Sequence, residues 1–171
     1  NDAATALAVH AGGGSVARFV ALMNEKARSL GLRRTRFRNP HGLDQPGHYS
    51  SARDVVTLLA AALRNPFIRE WSGRESAVIA DGRAVDSTDD LIGLLPQFLG
   101  GKTGHTSAAG WSQVAAAQEG GVRVIASVLG SPTEEQRNRD LEALLRFGLG
   151  QYRAIRAVDA SRRYAHVRVG Y

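Results

Sequence analysis

The sequence has no cysteine, which excludes disulfides, thiol catalysis and thiolate-bound zinc. Lysine is nearly absent: of 22 Lys and Arg residues, only Lys26 and Lys102 are lysine. No apolar run approaches the roughly 18 residues that a membrane-spanning helix needs. Aromatic residues make up 6% of the chain, too few and too scattered for a stacking platform. His10, His48 and His166 have no ligand-like spacing, so neither a metal nor another cofactor is expected. What remains is 171 residues with 43% hydrophobic and 22% charged side chains, the composition of a folded domain with a core. The net charge of +6 is spread along the chain. Its densest cluster, Arg33, Arg34, Arg36 and Arg38, has a single aromatic neighbour, Phe37. That pattern fits a solvated surface, and no nucleic-acid partner is expected.

Periodicity orders the chain. The Ala-rich residues 1 to 12 read as a short helix ending at Gly12, Gly13 and Gly14. Ser15 caps a second helix whose apolar positions Val16, Phe19, Val20, Met23, Ala27 and Leu30 recur every three or four residues. Gly31 is placed to stop it. A long connection, 32 to 50, contains Asn39-Pro40-His41-Gly42-Leu43-Asp44. Long connections inside compact domains are more often functional than idle. Ser51 opens a third helix, with Asp54 as an acidic variant of the capping box. Pro66 stops that helix, and a short helical piece runs to Trp71. The period then changes to two. Ser76 to Ala80 and Arg83 to Asp86 flank Asp81-Gly82, a hairpin signal. An apolar stretch, Leu91 to Leu99, is broken by Pro96. Strands are predicted at Gly100 to Gly104, Gly110 to Gln118 and Val122 to Gly130, then a helix from Thr133 to Gly148. Residues 152 to 169 alternate Val158, Tyr164, Val167 and Val169 with arginine and read as β structure. Helices, then an antiparallel sheet, then a helix define an α+β fold, not the βαβ alternation of a parallel sheet.

The most informative segment is Gly100-Gly101-Lys102-Thr103-Gly104-His105-Thr106, continuing to Ala109-Gly110-Trp111. A phosphate-binding loop would need a glycine five positions before Gly101. Pro96 stands there, and it has no N–H to offer a phosphate. A glycine-flanked edge strand with a solvated lysine remains the plain structural reading. A Lys-Thr-Gly strand is also one wall of the active site in penicillin-recognising serine acyl-transfer enzymes. There the lysine places positive charge near the reacting serine, the threonine hydroxyl can bond a carboxylate, and the glycine admits a substrate backbone.

Three further runs agree in order with the same group: Asn1-Asp2-Ala3-Ala4, Asn39-Pro40-His41-Gly42-Leu43-Asp44 and Tyr49-Ser50-Ser51-Ala52-Arg53-Asp54. Together with the extended Lys102-Thr103-Gly104-His105-Thr106-x-x-Ala109-Gly110 run, the chain resembles the D-alanyl-D-alanine carboxypeptidases, the low-molecular-mass penicillin-binding proteins of serine type. The resemblance implies an incomplete β-lactamase-like, transpeptidase-like α+β fold, an antiparallel sheet flanked by helices. Residues 1–151 would be the C-terminal part of the catalytic domain, and 152–171 a β segment leading toward a C-terminal domain. It implies that Asn1 ends a Ser-x-Asn motif and orients the substrate amide and the catalytic lysine. Lys102 would give electrostatic support, Thr103 would bind the substrate's terminal carboxylate, and Gly104 would admit its backbone. The His105 N–H would share an oxyanion hole with the nucleophile's own N–H. Arg137 would pair with the same carboxylate; the plain alternative is a surface arginine beside Glu134 or Asp140. His41 reads as a loop-stabilising residue.

The resemblance implies removal of the terminal D-Ala from peptidoglycan stem peptides through an acyl-enzyme, outside the cytoplasm. β-Lactam antibiotics would be covalent inhibitors. The Ser-x-x-Lys tetrad that carries nucleophile and base occurs nowhere in the 171 residues, so an N-terminal segment of the same protein is the expected partner, and this chain alone is expected to be inactive. The segment before the third motif is Ser87-Thr88-Asp89-Asp90, where relatives often carry an Asn-rich run. Three alternatives stand. A class A β-lactamase would carry Glu-x-x-x-Asn upstream of the Lys-Thr-Gly strand, yet Glu25, Glu70 and Glu75 are not followed by Asn at the fourth position. A D,D-endopeptidase would use the same residues. A non-catalytic cell-wall-binding protein could share the fold.

Overall fold

The computed structural model describes residues 1–155, 157, 158, 161, 162 and 165. Helices come first: α1 (Asp2–Ala11), α2 (Val16–Ser29), α3 (Ala52–Ala62) and α4 (Pro66–Trp71). Each of the last three starts at a polar cap. Ser15 Oγ accepts from Arg18 N at 3.2 Å, Ser51 Oγ from Asp54 N at 3.3 Å, and Asn65 Oδ1 from Phe67 N at 2.9 Å. These bonds satisfy N–H groups that a helix start leaves unpaired. Gly31 follows α2 with φ 72°, a conformation that suits glycine. Next come the hairpin β1 (Ser76–Val78) and β2 (Ala84–Asp86), the single turn α5 (Leu91–Leu94), and the strands β3 (Phe98–Thr106), β4 (Gly110–Glu119) and β5 (Val122–Ser131). The long helix α6 (Glu134–Gln151) is capped by Thr133, whose Oγ1 accepts from Gln136 N at 3.2 Å.

The order β3-β4-β5 is antiparallel throughout, so β3 is an edge strand among the described residues. Side chains alternate across the sheet, and each face has its own core. On one face α6 packs across β4 and β5. There Leu91, Leu95, Ala115, Ala117, Leu141 and Leu145 form a fully buried cluster. On the other face α3 covers the sheet, with Leu59, Leu63 and Ala116 at the centre and Val114 and Ile125 beside them. Burial of each such leucine contributes about 2 kcal/mol. β3 is thereby clamped between two packed layers at its root, near Gly100. Its outer half, Lys102 to Thr106, runs free of either core.

The α+β order of helices, sheet and helix is the one expected. Five details differ. α3 ends at Ala62, ahead of Pro66, which instead opens the expected short helix to Trp71 as its first residue, capped by Asn65, where its missing N–H and fixed φ are assets. Leu91 to Leu94 form a turn of helix that four residues are too few to announce. β3 begins at Phe98 rather than Gly100 and continues through Thr106, with a register irregularity between Phe98 and Gly100. α6 runs to Gln151, three residues past Gly148. Residues 152–155 and the other described residues after them carry no strand. Tyr164, Val167 and Val169, on which the expected β segment chiefly rested, lie outside the described residues.

Candidate active site

Lys102, Thr103 and Gly104 lie opposite Val114, Gln113 and Ser112 in the ladder. Alternation sends Lys102 and Gly104 to the α3 face and Thr103 to the α6 face. On the α3 side a cavity of about 450 Å³ lies between the strand and the helix. It is lined by Val55, Leu58 and Ala62 of α3 and by Lys102, Gly104 and Leu129 of the sheet. On the other side Lys102 and Thr103 border a second cavity of about 280 Å³, with Thr88, Asp89 and Trp71. The motif strand is therefore a wall between two hollows. A larger cavity of about 890 Å³ is lined by Arg33, Arg34, Arg53 and Asp54, and none of Lys102 to Thr106 line it.

Gly104 carries out the steric role that glycine suits. A Cβ added there would meet nothing within 4 Å, so the strand backbone lies open to an approaching chain. Gly101 is different: a Cβ there would sit 2.8 Å from Val114 O and 3.1 Å from Asp89 Oδ2. Its hydrogen atom is what lets β3 lie this close to its support. The Lys102 ammonium donates to the carbonyl of Thr103. Thr103 Oγ1 shares a hydrogen bond of 3.3 Å with Thr88 Oγ1. His105 is exposed, and its ring stacks on Trp111 at 4.1 Å between centroids. Thr106 Oγ1 donates to Asp44 Oδ1 at 2.8 Å, tying the 39–49 loop to the end of β3.

That loop is built from inside. Buried Asn39 donates to Leu43 O and to Gln45 Oε1, and accepts from Gly42 N at 2.7 Å. His41 Nδ1 accepts from Leu43 N, a loop-stabilising contact. Burial, then the neighbouring His41, lower the pKa of His48 from its ordinary value.

Arg137 lies elsewhere than a surface reading would put it. It is 1% exposed. Its guanidinium donates to Asn138 Oδ1 at 2.6 and 3.0 Å and to Glu134 Oε1 at 3.1 Å, and lies 5.6 Å from the centre of the Trp111 ring. Asn138 in turn donates to Asp90 Oδ2 at 2.7 Å. As placed, Arg137 supports Trp111, on which His105 rests. At 1% exposed, Arg137 offers no surface to a ligand without rearrangement of the residues around it. Asn1 stands at the start of α1, which packs on α2. It is exposed and lines neither of the cavities that Lys102 lines. Four of the six expected residues thus share one strand, a fifth lies beneath Trp111, and Asn1 stands at the start of α1.

Sequence reasoning missed the group beneath the strand. Asp89, 9% exposed, accepts from Gln113 Nε2 at 2.6 Å and from Leu91 N at 3.1 Å. Burial pushes its pKa up, against the lowering pull of those bonds and of Arg137. The available signal was Gln113, a polar residue at an inward position of an otherwise apolar strand. Among the described residues, no three His, Asp or Glu side chains are grouped to hold a metal.

A family model described as D-alanyl-D-alanine carboxypeptidase matches residues 1–133, a span that includes all of the motif strand. The chain belongs to the D-alanyl-D-alanine carboxypeptidase family. Among curated members, the D-alanyl-D-alanine carboxypeptidase DacF of Bacillus subtilis is 36% identical over 89% of this chain and 40% of its own length. DacA of Escherichia coli is also 36% identical, over 96% of this chain and 41% of its own length. Solved structures agree. The D-alanyl-D-alanine carboxypeptidase of Mycobacterium tuberculosis superposes with TM-score 0.75 at 35% identity, covering 88% of this chain and 58% of that one. Penicillin-binding protein D2 of Listeria monocytogenes, in a cefotaxime-bound form, gives TM-score 0.79 at 33% identity, covering 87% and 61%. The chain spans about two-fifths of the length of these curated carboxypeptidases.

Proposed function

We propose that this chain supplies the substrate-binding wall of a serine-type D-Ala-D-Ala carboxypeptidase. The observation that carries the reading is the Lys102-Thr103-Gly104-His105-Thr106 run on a free strand edge beside a cavity, in a member of this family. An extended peptide can lie along such an edge and bond its backbone. The open space at Gly104 admits the peptide's backbone. Thr103 Oγ1 would exchange its bond with Thr88 for one to the terminal carboxylate of a stem peptide. The Lys102 ammonium would stabilise negative charge at the reacting carbonyl, and the His105 N–H would help hold the oxyanion. Arg137 would add positive charge from beneath Trp111. Asn1 would complete a Ser-x-Asn motif; its role rests on the sequence run alone.

The serine nucleophile and its lysine base would come from a segment preceding Asn1. The serine oxygen attacks the penultimate D-Ala carbonyl, the base takes the serine proton, and D-Ala leaves with a proton on its nitrogen. Water then cleaves the ester and restores the serine. β-Lactams would be attacked by the same serine oxygen at the ring carbonyl carbon; the lactam C–N bond opens, its nitrogen takes a proton, and a long-lived ester remains. Acting on peptidoglycan stem peptides, the reaction would take place outside the cytoplasm.

The test is turnover by the protein carrying its preceding segment. Release of D-Ala from diacetyl-Lys-D-Ala-D-Ala, with slow penicillin hydrolysis, is the expected result. Rapid penicillin hydrolysis without D-Ala release would replace this reading with a β-lactamase. Release only from cross-linked peptides would make it an endopeptidase.

A further inference from the structure

The polar group under the motif strand has no part in the chemistry above, yet it is unusually buried. Asp89 Oδ1 holds two donors, Gln113 Nε2 and Leu91 N. Gln113 is 1% exposed and stands opposite Thr103 in the ladder. Asp89 Oδ2, fully shielded from solvent, has no hydrogen-bond partner among the described residues, and neither has Gln113 Oε1. That free oxygen faces the α-carbon of Gly101, the residue before Lys102. One residue earlier, Thr88 Oγ1 holds Thr103 Oγ1. On the far side, Asp90 is tied through Asn138 to Arg137 and so to α6.

We propose that Asp89 is a positioning residue for the acylation site: from beneath Gly101 and Gln113 it sets where β3 presents Lys102 and Thr103, without touching a ligand. The proposal rests on the functional reading given above. Its physical basis is proximity and pairing: a Cβ built on Gly101 would lie 3.1 Å from Asp89 Oδ2, and Asp89 Oδ1 holds Gln113, the residue opposite Thr103. A change in the size or charge of the Asp89 carboxyl therefore acts within one side-chain layer of β3. A buried carboxylate oxygen without a donor is costly when ionised. Burial accordingly favours the neutral acid, as the upward displacement of its pKa indicates. Lys102, Arg74 and Asp86 border the same small cavity as Asp89. Arg137 from α6, Glu75 and the adjacent Asp90 are the other charged groups about it. As pH rises and Asp89 ionises, its charge draws the Lys102 ammonium toward the underside of the strand and away from the reacting carbonyl.

The experiment is the rate of acylation by a fluorescent penicillin across pH 5 to 9, a series that runs upward from above the ordinary aspartate range, the direction in which burial displaces Asp89. It uses the protein with its preceding segment, as wild type, Asp89→Asn, Asp89→Ala and Thr88→Val. Asp89→Asn keeps the Oδ1 acceptor and stays neutral. Its rate should equal wild type within about twofold at low pH, and the ratio of Asn to wild type should rise as pH rises. Asp89→Ala should be roughly tenfold or more slower at every pH, the scale on which small misplacements act. Thr88→Val, which leaves the carboxyl in place, should fold normally and lose several-fold. A constant Asn to wild-type ratio overturns the proposal. So does an Ala variant as fast as wild type, or an Asn variant as slow as Ala. Failure of Ala to fold leaves the Asn ratio and Thr88→Val to decide. Absence of any wild-type adduct would instead overturn the functional reading, and this inference with it.

Discussion

Two aspartates show how opposite charge environments act at single positions. Asp54 accepts from Thr35 Oγ1 at 2.7 Å and from Arg34 N at 2.8 Å, and its pKa lies below the ordinary carboxylate value. The Thr35 hydroxyl is the largest cause, and the Arg34 N–H adds to it. A lowered folded-state pKa stabilises the protein above the unfolded pKa, and that stability is lost as pH falls through the folded value. Asp54→Asn should therefore lower the urea midpoint at neutral pH, and the gap to wild type should close in acid. Asp89 has the reverse sign. With its folded pKa raised, wild type loses stability as pH rises from the ordinary aspartate range through the folded value. Asp89→Asn should thus gain relative to wild type over that window, measured by the same unfolding series. A gain in acid that vanishes at neutral pH would contradict the assignment. Neither environment was legible in the sequence. Asp54 reads as part of a capping box, and Ser51 does cap α3. Its carboxylate, though, is spent on the loop twenty residues earlier, a partner that only the tertiary fold supplies.

At the scale of elements, the two glycines flanking Lys102-Thr103 should separate stability from activity. Gly101→Ala forces a methyl to within 3 Å of Val114 O, so it should lower the melting temperature. Gly104→Ala meets nothing and should leave melting nearly unchanged, while its methyl obstructs the edge along which a ligand would lie. Acylation should fall about tenfold or more in the second variant without loss of fold. Equal melting losses for the two would contradict the strand geometry described here. Ser51→Ala should cost about 1 kcal/mol by uncapping α3, read from chemical denaturation. The elements with a clear period or cap, α2, α3 and the β4–β5 hairpin, were legible almost to the residue. α5 was not, since four residues hold no period. The start of β3 was not either, because Phe98 and Leu99 look like the tail of an apolar run. Their place in the sheet comes from pairing with β4.

At the scale of the molecule, both faces of the sheet are helix-covered, by α6 and by α3, and the α3 side leaves a largely apolar hollow next to Lys102. The α+β order and the sharing of one strand by Lys102, Thr103, Gly104 and His105 were readable, because they lie in continuous runs of sequence. The burial of Arg137 was not readable: nothing local says that its guanidinium turns inward to Asn138 and Glu134, near Trp111. Nor was the placement of Asn1, which depends on how α1 docks on α2. The central claim is that Lys102 serves a serine supplied from outside these 171 residues. Intact-mass analysis and peptide mapping of the protein with its preceding segment, after exposure to penicillin, test this most directly. The account predicts one covalent adduct on a serine ahead of Asn1, abolished in folded Lys102→Ala. An adduct on a serine within this chain, or undiminished labelling of Lys102→Ala, would contradict it.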